Sequence, residues 1–446
     1  MSEVVKGAEG EVLPSELRRR GQAAIISVTV WDTVIFGTAL GSVLSLFVLN
    51  HQGTSRDIGY LATAGQLAPI AQVIGLRLLS RVGKARLLLA GHTLSAIPIA
   101  FLAILAISRV TGAPAVWSAI GAMALFGLMF HTGQTAWWPL IQDNTEGGPV
   151  EAFFARMRTR YLLANVAVAV AVALFLGKGP ADWQFMATFL VGSASLVIGG
   201  LCMRAVSERP FTPPEAGLFQ RLVRASRVPS IRRYVIFAAA RAFVIVLCTP
   251  FWVVILKRNG LSEGFIVWLS AVMALGNVSA VRRWGRFVNR FNFRPAITIA
   301  LLGKAALGLA WLAMPAGGTP LQVWAIIVFF AWGFLEGGYL MGWTRALLGS
   351  VPSAVQADGF TLASVICSSI GAVTGLVAGS VFNGVAGVSL GGIDGWMIYL
   401  CVAQLLLVGV WLIGWNLKGY TEQVSARRLL TVSIMMTLRQ TRRLFD

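Results

Sequence analysis

Twelve long apolar runs alternate with short polar connections along the chain. They read as residues 23–49, 58–79, 87–107, 115–140, 161–177, 183–203, 234–256, 264–281, 295–314, 321–344, 360–383 and 393–416. Each is close to the ~20 residues that a helix needs to cross the hydrocarbon of a bilayer. Backbone polar groups find no water in lipid, so each run is expected to be an α-helix. The longest polar interruption, 204–233, holds Pro210, Pro213 and Pro214, then the basic amphipathic stretch Gln220-Arg221-Leu222-Val223-Arg224-Ala225-Ser226-Arg227. It separates six spans from six. The expected organisation is a leading segment (1–22), a six-helix bundle (23–203), a linker that is partly a surface helix (204–233), a second six-helix bundle (234–416) and a basic amphipathic tail (417–446).

Composition agrees with an all-α membrane protein. Hydrophobic residues make up 57% of the 446 and charged residues only 12%, against about 25% charged in a soluble domain. The net charge of +19 suggests a nucleic-acid partner until the charges are placed. Of the 37 Lys and Arg, 30 fall on the side of the termini and linker and 5 on the other (Arg56, Arg109, Lys178, Lys257, Arg258). That asymmetry is the positive-inside signal, and it predicts that both termini and the linker are cytoplasmic. The excess charge serves topology first and attraction to anionic lipid second. Cys202, Cys248, Cys367 and Cys401 lie in or beside apolar spans without a C-x-x-C, so no disulfide framework or zinc site is expected. The three histidines are scattered in sequence. Gly83-Lys84 and Gly303-Lys304 are each followed by Ala rather than Ser or Thr, so the chain carries no ATP-hydrolysing loop. No cofactor and no enzyme activity are expected. An Arg-rich, Lys-poor chain abundant in Ala and Gly points to a bacterial inner membrane.

The remaining basic residues, Arg241 and Lys304, lie inside spans. Asp32 in span 1 and Arg241 in span 7 stand 209 residues apart, and the same offset relates Arg81 to Arg290. Charges inside the bilayer are expensive, so a duplicated chain with opposite charges at matching depth suggests a solute pathway. Asp32 is a candidate proton-binding group, Arg241 a candidate two-point anion holder. Each is equally a candidate for a structural ion pair with the other.

The local sequences after spans 2 and 8 resemble the signature of the major facilitator superfamily, G-x-x-x-D-R-x-G-R-R. Here they read Leu76-x-x-x-Ser80-Arg81-Val82-Gly83-Lys84-Ala85-Arg86 and Gly285-x-x-x-Asn289-Arg290-Phe291-Asn292-Phe293-Arg294. The acidic position is Ser80 or Asn289, which removes the charge pairing that the family attributes to it. Arg81 and Arg290, with Gly83 and Gly285, are either gating residues that clamp helix C-termini or ordinary loop charge. The resemblance implies two pseudo-symmetric six-helix bundles with spans 1, 4, 7 and 10 around a central cavity. On those spans lie Asp32, His131, Gln134, Trp137, Arg241 and Glu336, the candidate substrate- and proton-binding set. Lys304, on a peripheral span, is expected to form a structural pair or to snorkel. Span 5 lacks the Gly-Pro pattern of drug antiporters.

The expected activity is secondary active transport by alternating access, with proton-coupled uptake of a small polar or anionic organic solute. The alternatives are proton-antiport efflux of drugs or metabolites, and a non-transporting lipid, pigment or assembly protein of the same fold. Expected partners are the solute, protons and membrane lipids, without nucleic acid, and the chain is expected to work as a monomer.

Overall fold

The apolar runs are helices throughout the computed structural model, which describes residues 13–146, 150–210, 217–350 and 356–415. Among the described residues, eleven helices are long and apolar enough to cross a membrane. The predicted second span is also helical but broken. Ser55–Leu67 passes through a 3-10 turn, Ala68–Ala71, into Gln72–Val82. Pro69 sits in that turn, where it removes a backbone donor and tightens the helix.

Several helices run well past their apolar segments. Span 1 is Ser15–Thr38 continued by Gly41–Asn50, span 3 is Lys84–Ile107, span 4 is Ala113–Gln134 continued by Trp137–Thr145, span 5 is Val150–Leu176 and span 6 is Asp182–Cys202. Spans 7 to 11 are Pro229–Arg258, Glu263–Phe291, Phe293–Leu309, Gly318–Ser350 and Gln356–Val385. A two-stranded hairpin, Ser389–Leu390 with Ile393–Asp394, precedes span 12, which comprises Gly395–Leu405 and Leu407–Gly414. Ending the spans at the first charge underestimates them, because a charged turn keeps its helical hydrogen bonds while its side chains reach water. The correction matters most in span 5. The helix begins at Val150, so Arg156, Arg158 and Arg160 belong to it rather than to a loop. The predicted tail lies outside the described residues.

The two halves repeat one packing scheme. Span 1 packs on 5 and 6, 3 on 4 and 6, and 2 on 4. Correspondingly, span 7 packs on 11 and 12, 9 on 10 and 12, and 8 on 10. The 209-residue offset reaches the backbone: Gly83 after span 2 and Asn292 after span 8 both have positive φ, +89° and +71°. Asn tolerates this region better than most residues, and its side chain also accepts a hydrogen bond from Phe293 N at 2.7 Å.

Spans 2 and 11, and spans 5 and 8, join the halves. On the face opposite the linker this contact is tight. A Cβ on Gly59 would stand 2.7 Å from the carbonyl of Gly375 and 2.8 Å from the Cα of Gly379, so only glycine fits. Thr63 donates to the Ala372 carbonyl at 3.1 Å, and Gly264 N donates to Gly177 O at 2.7 Å. Gly371, Gly375 and Gly379 repeat at four-residue spacing in span 11, and Gly375 and Gly379 bring the two halves together here.

On the other face the linker is fastened at both ends. Its helix, Leu218–Arg227, packs on span 11, where Arg221 forks onto Asp358 with Nε at 3.2 Å. At its start Arg209 donates from Nε and from its backbone N to Asp143, each at 3.1 Å. Asp143 also takes Lys84 Nζ at 2.5 Å, and both side chains are buried. Glu208 accepts from Ala85 N at 2.7 Å and lies against Gly83. The carboxylates absent from the signature at position 80 therefore come from span 4 and from the linker.

Candidate functional site

Span 1 turns Asp32 toward span 3, where it meets a residue that the sequence does not single out. His92 Nε2 lies 2.9 Å from Asp32 Oδ1, and His92 Nδ1 lies 2.9 Å from the Leu88 carbonyl. A carbonyl only accepts, so Nδ1 carries a hydrogen. Nε2 and Oδ1 then share one proton, whether as imidazolium and carboxylate or as neutral ring and carboxyl. Without that proton a ring lone pair would face a carboxylate oxygen. The Asp32 side chain keeps 15% of its exposure, whereas that of His92 is fully sealed.

The second half holds a larger cluster. Arg241 Nη2 donates to Glu336 Oε1 at 2.7 Å, and Lys304 Nζ bonds the other carboxylate oxygen. Arg241 lies over the Tyr339 ring at 4.0 Å and Lys304 over Trp332 at 4.5 Å. One carboxylate thus serves two cations, and the Arg241 Nε is buried without a hydrogen-bond partner among the described residues. Lys304 forms the expected ion pair, but with the site carboxylate, so it belongs to the site. Its span is peripheral, yet the stem reaches inward across the indole. Asp32 and Arg241 do not pair with each other. Each has a nearer partner in its own half.

The other predicted residues separate. Phe130 joins His131 to the first cluster, its ring centroid 5.6 Å from His131 and 5.1 Å from His92, and His131 Nδ1 is buried without a hydrogen-bond partner among the described residues. Gln134 ends the first helix of span 4 and Trp137 begins the next, so the break at Thr135 and Ala136 separates them. Trp137 packs against the apolar cluster that holds Ile25, Val28 and Leu140. Arg81 and Arg290 are exposed, the latter over its neighbour Phe291 at 5.2 Å. The carbonyl contact expected of Arg290 is made by Arg345, which donates to Val288 O at 3.1 Å. Gly285 has open space around its Cα, unlike Gly83.

Arg158 is a further site residue missed from sequence. It points from span 5 toward the second half, with Nη1 3.9 Å from the Met341 sulfur and within electrostatic range of Glu336 and Tyr161. Its place inside a basic run made it look like topogenic charge. His92 had a usable signal: it lies 212 residues before Lys304, close to the internal repeat.

Solved structures share this fold at low sequence identity. The nucleoside transporter NupG is 15% identical, with a TM-score of 0.65 over 90% of this chain and 99% of its own. A D-xylose-proton symporter is 13% identical, with a TM-score of 0.63 over 89% and 98%. The peptide transporter POT, in complex with alafosfalin, is 14% identical, with a TM-score of 0.63 over 93% and 97%. A search of curated proteins finds no significant match. The family model described as Major Facilitator Superfamily matches residues 26–376. With that match over most of the chain, and the twelve helical segments folded as two repeated bundles, the protein belongs to the Major Facilitator Superfamily and stands among transporters rather than enzymes.

Proposed function

We propose that the chain is a secondary active transporter that takes up a small polar or anionic organic solute by alternating access, driven by protons. The observation that carries this reading is the charge difference between the two clusters. The second half sets Arg241 and Lys304 against the single carboxylate of Glu336, leaving one positive charge over, with Arg158 close by. A carboxylate or phosphate on the solute supplies the missing anion, and a planar guanidinium holds it at two points. Asp32 with His92 is the proton site, since their contact contains one exchangeable proton and Asp32 is the more accessible partner. The neighbours' names, a nucleoside transporter and a xylose-proton symporter, support small polar solutes and proton coupling.

With the termini and linker in the cytoplasm of a bacterial inner membrane, the sealed face is the outer one. The test is a thermal-shift screen of the purified protein against monocarboxylates, dicarboxylates, sugar phosphates and neutral sugars. Accumulation of the stabilising class is then measured in proteoliposomes under an imposed proton gradient. An anionic class should stabilise the protein and accumulate with the gradient. Stabilisation by neutral solutes alone, or uptake indifferent to the gradient, would overturn the reading.

A further inference from the structure

Spans 7, 11 and 12 enclose an apolar groove of about 740 Å³ at the linker end of the second half. Ala239, Ala240 and Val244 of span 7 form its floor together with Ile366 of span 11, and Gly409 and Val410 of span 12 form a wall. The groove exists because span 12 is interrupted at Leu406, because Gly409 has nothing within 4 Å of where a Cβ would be, and because Trp411 turns away to Thr298 at 3.2 Å. The corresponding space in the first half is filled: Gly199 of span 6 is packed on Trp31 of span 1.

The position of the bilayer surface is marked beside the groove. Phe219 on the linker helix is 79% exposed and Trp415 at the end of span 12 is 49% exposed, as expected of residues in the interfacial layer. Arg232 lines the groove at this level, is exposed, and has no hydrogen bond or ion pair among the described residues. From Arg232 to Val244 the helix rises about 18 Å, which is close to the depth of one leaflet, about 15 Å of hydrocarbon. Arg224 and Arg227, exposed on the adjoining linker helix, add positive potential at the same end.

We propose that the groove is a binding site for an anionic phospholipid of the adjoining leaflet. One acyl chain lies along span 7 from Ile236 to Val244, and the phosphate sits at Arg232. The chain then rests on Ala240, the neighbour in the same helical turn of Arg241, which meets Glu336. Apolar fit alone would admit any phospholipid, and Arg232 supplies the preference for an anionic headgroup.

The experiment uses the full chain purified in detergent. It is titrated with dioleoylphosphatidylglycerol or dioleoylphosphatidylcholine, and bound lipid is counted by native mass spectrometry. The wild type should retain one phosphatidylglycerol more tightly than phosphatidylcholine by about five-fold or more. Arg232→Gln, an exposed change that leaves the fold intact, should bring the two lipids to near equality. Gly409→Leu, which fills the groove, should remove the retained lipid of either kind. Equal retention of both lipids by the wild type, or an undiminished preference in Arg232→Gln, overturns the proposal. So does the absence of any retained lipid in the wild type, the result expected if a second copy or residues 417–446 fill the groove.

Discussion

The two halves build the same device from different chemistry. In each, a cavity-lining span presents a partly exposed acid, Asp32 at 15% and Glu336 at 22%, backed by a base that is sealed from solvent, His92 at 0% and Lys304 at 1%. Both bases lie on the third span of their half. The first half closes its charge with a single shared proton. The second adds Arg241 and ends with a positive charge in excess. The bases hold related places on the third span of each half, while the acids come from different spans, Asp32 from the first and Glu336 from the fourth.

The largest effect should follow from removing the acid of the fixed-charge cluster. Glu336→Gln leaves Arg241 and Lys304 side by side, buried and uncompensated, at a cost of roughly 3–5 kcal/mol. Expression and thermal stability should drop sharply. The double variant Lys304→Met, Glu336→Gln removes one cation with the acid and should recover much of the loss. A stable single variant would mean that Lys304 is held neutral in the folded protein, and the comparison would lose its basis.

Next in size is the pair that shares a proton. Asp32→Asn should abolish accumulation driven by a proton gradient while solute exchange across equal pH persists, because exchange needs no net change in protonation. His92→Gln should do the same, since Gln can bond Asp32 but cannot accept and release the proton at physiological pH. Both are read by counterflow and gradient-driven uptake in the same vesicles. Gradient-driven uptake that survives in His92→Gln would restrict the proton to Asp32 alone.

Much of this architecture was legible in the sequence, because apolar length and charge asymmetry are imposed by the bilayer itself. Twelve helices, the six-six division and the internal offset of Asp32 to Arg241 all follow from that. What the pattern hides is direction. Arg158 and Arg81 both sit in basic runs, yet one reaches Met341 of the second half and the other faces out. Periodicity does not separate them, because a helix that leaves the membrane carries charges on every side. His92 is equally ambiguous in an apolar span, since its role depends on Asp32, 60 residues earlier. The carboxylates that complete the loop signature, Asp143 and Glu208, come from segments with no local resemblance to it.

A moderate effect is expected at the seal. Gly59→Leu forces a side chain into the backbone of span 11, against Gly375 and Gly379. Each bundle should remain folded while the halves separate on that face. Spin labels placed at Gln52 and Asn259 should report a longer distance by pulsed electron resonance, and uptake should slow several-fold. An unchanged distance would show that the bundles accommodate the side chain by sliding rather than by opening.

The smallest effect contrasts two positive charges of the signature loop that lie three residues apart. Lys84 is buried on Asp143, whereas Arg81 is exposed and has no partner among the described residues in this conformation. Arg81→Ala should therefore change stability by no more than about 0.5 kcal/mol. If Arg81 gates, its contact forms in the opposite conformation, with the linker face closed, where a guanidinium at a helix C-terminus gains about 0.3–1 kcal/mol. Losing it should shift the conformational equilibrium toward the state described here by about two- to five-fold, slowing turnover while leaving solute affinity within that factor. Arg290→Ala should act in the same direction, because it occupies the repeated position. Single-molecule distance populations across the linker face measure the shift directly. If the populations are unchanged in both variants, the two arginines are topogenic charge.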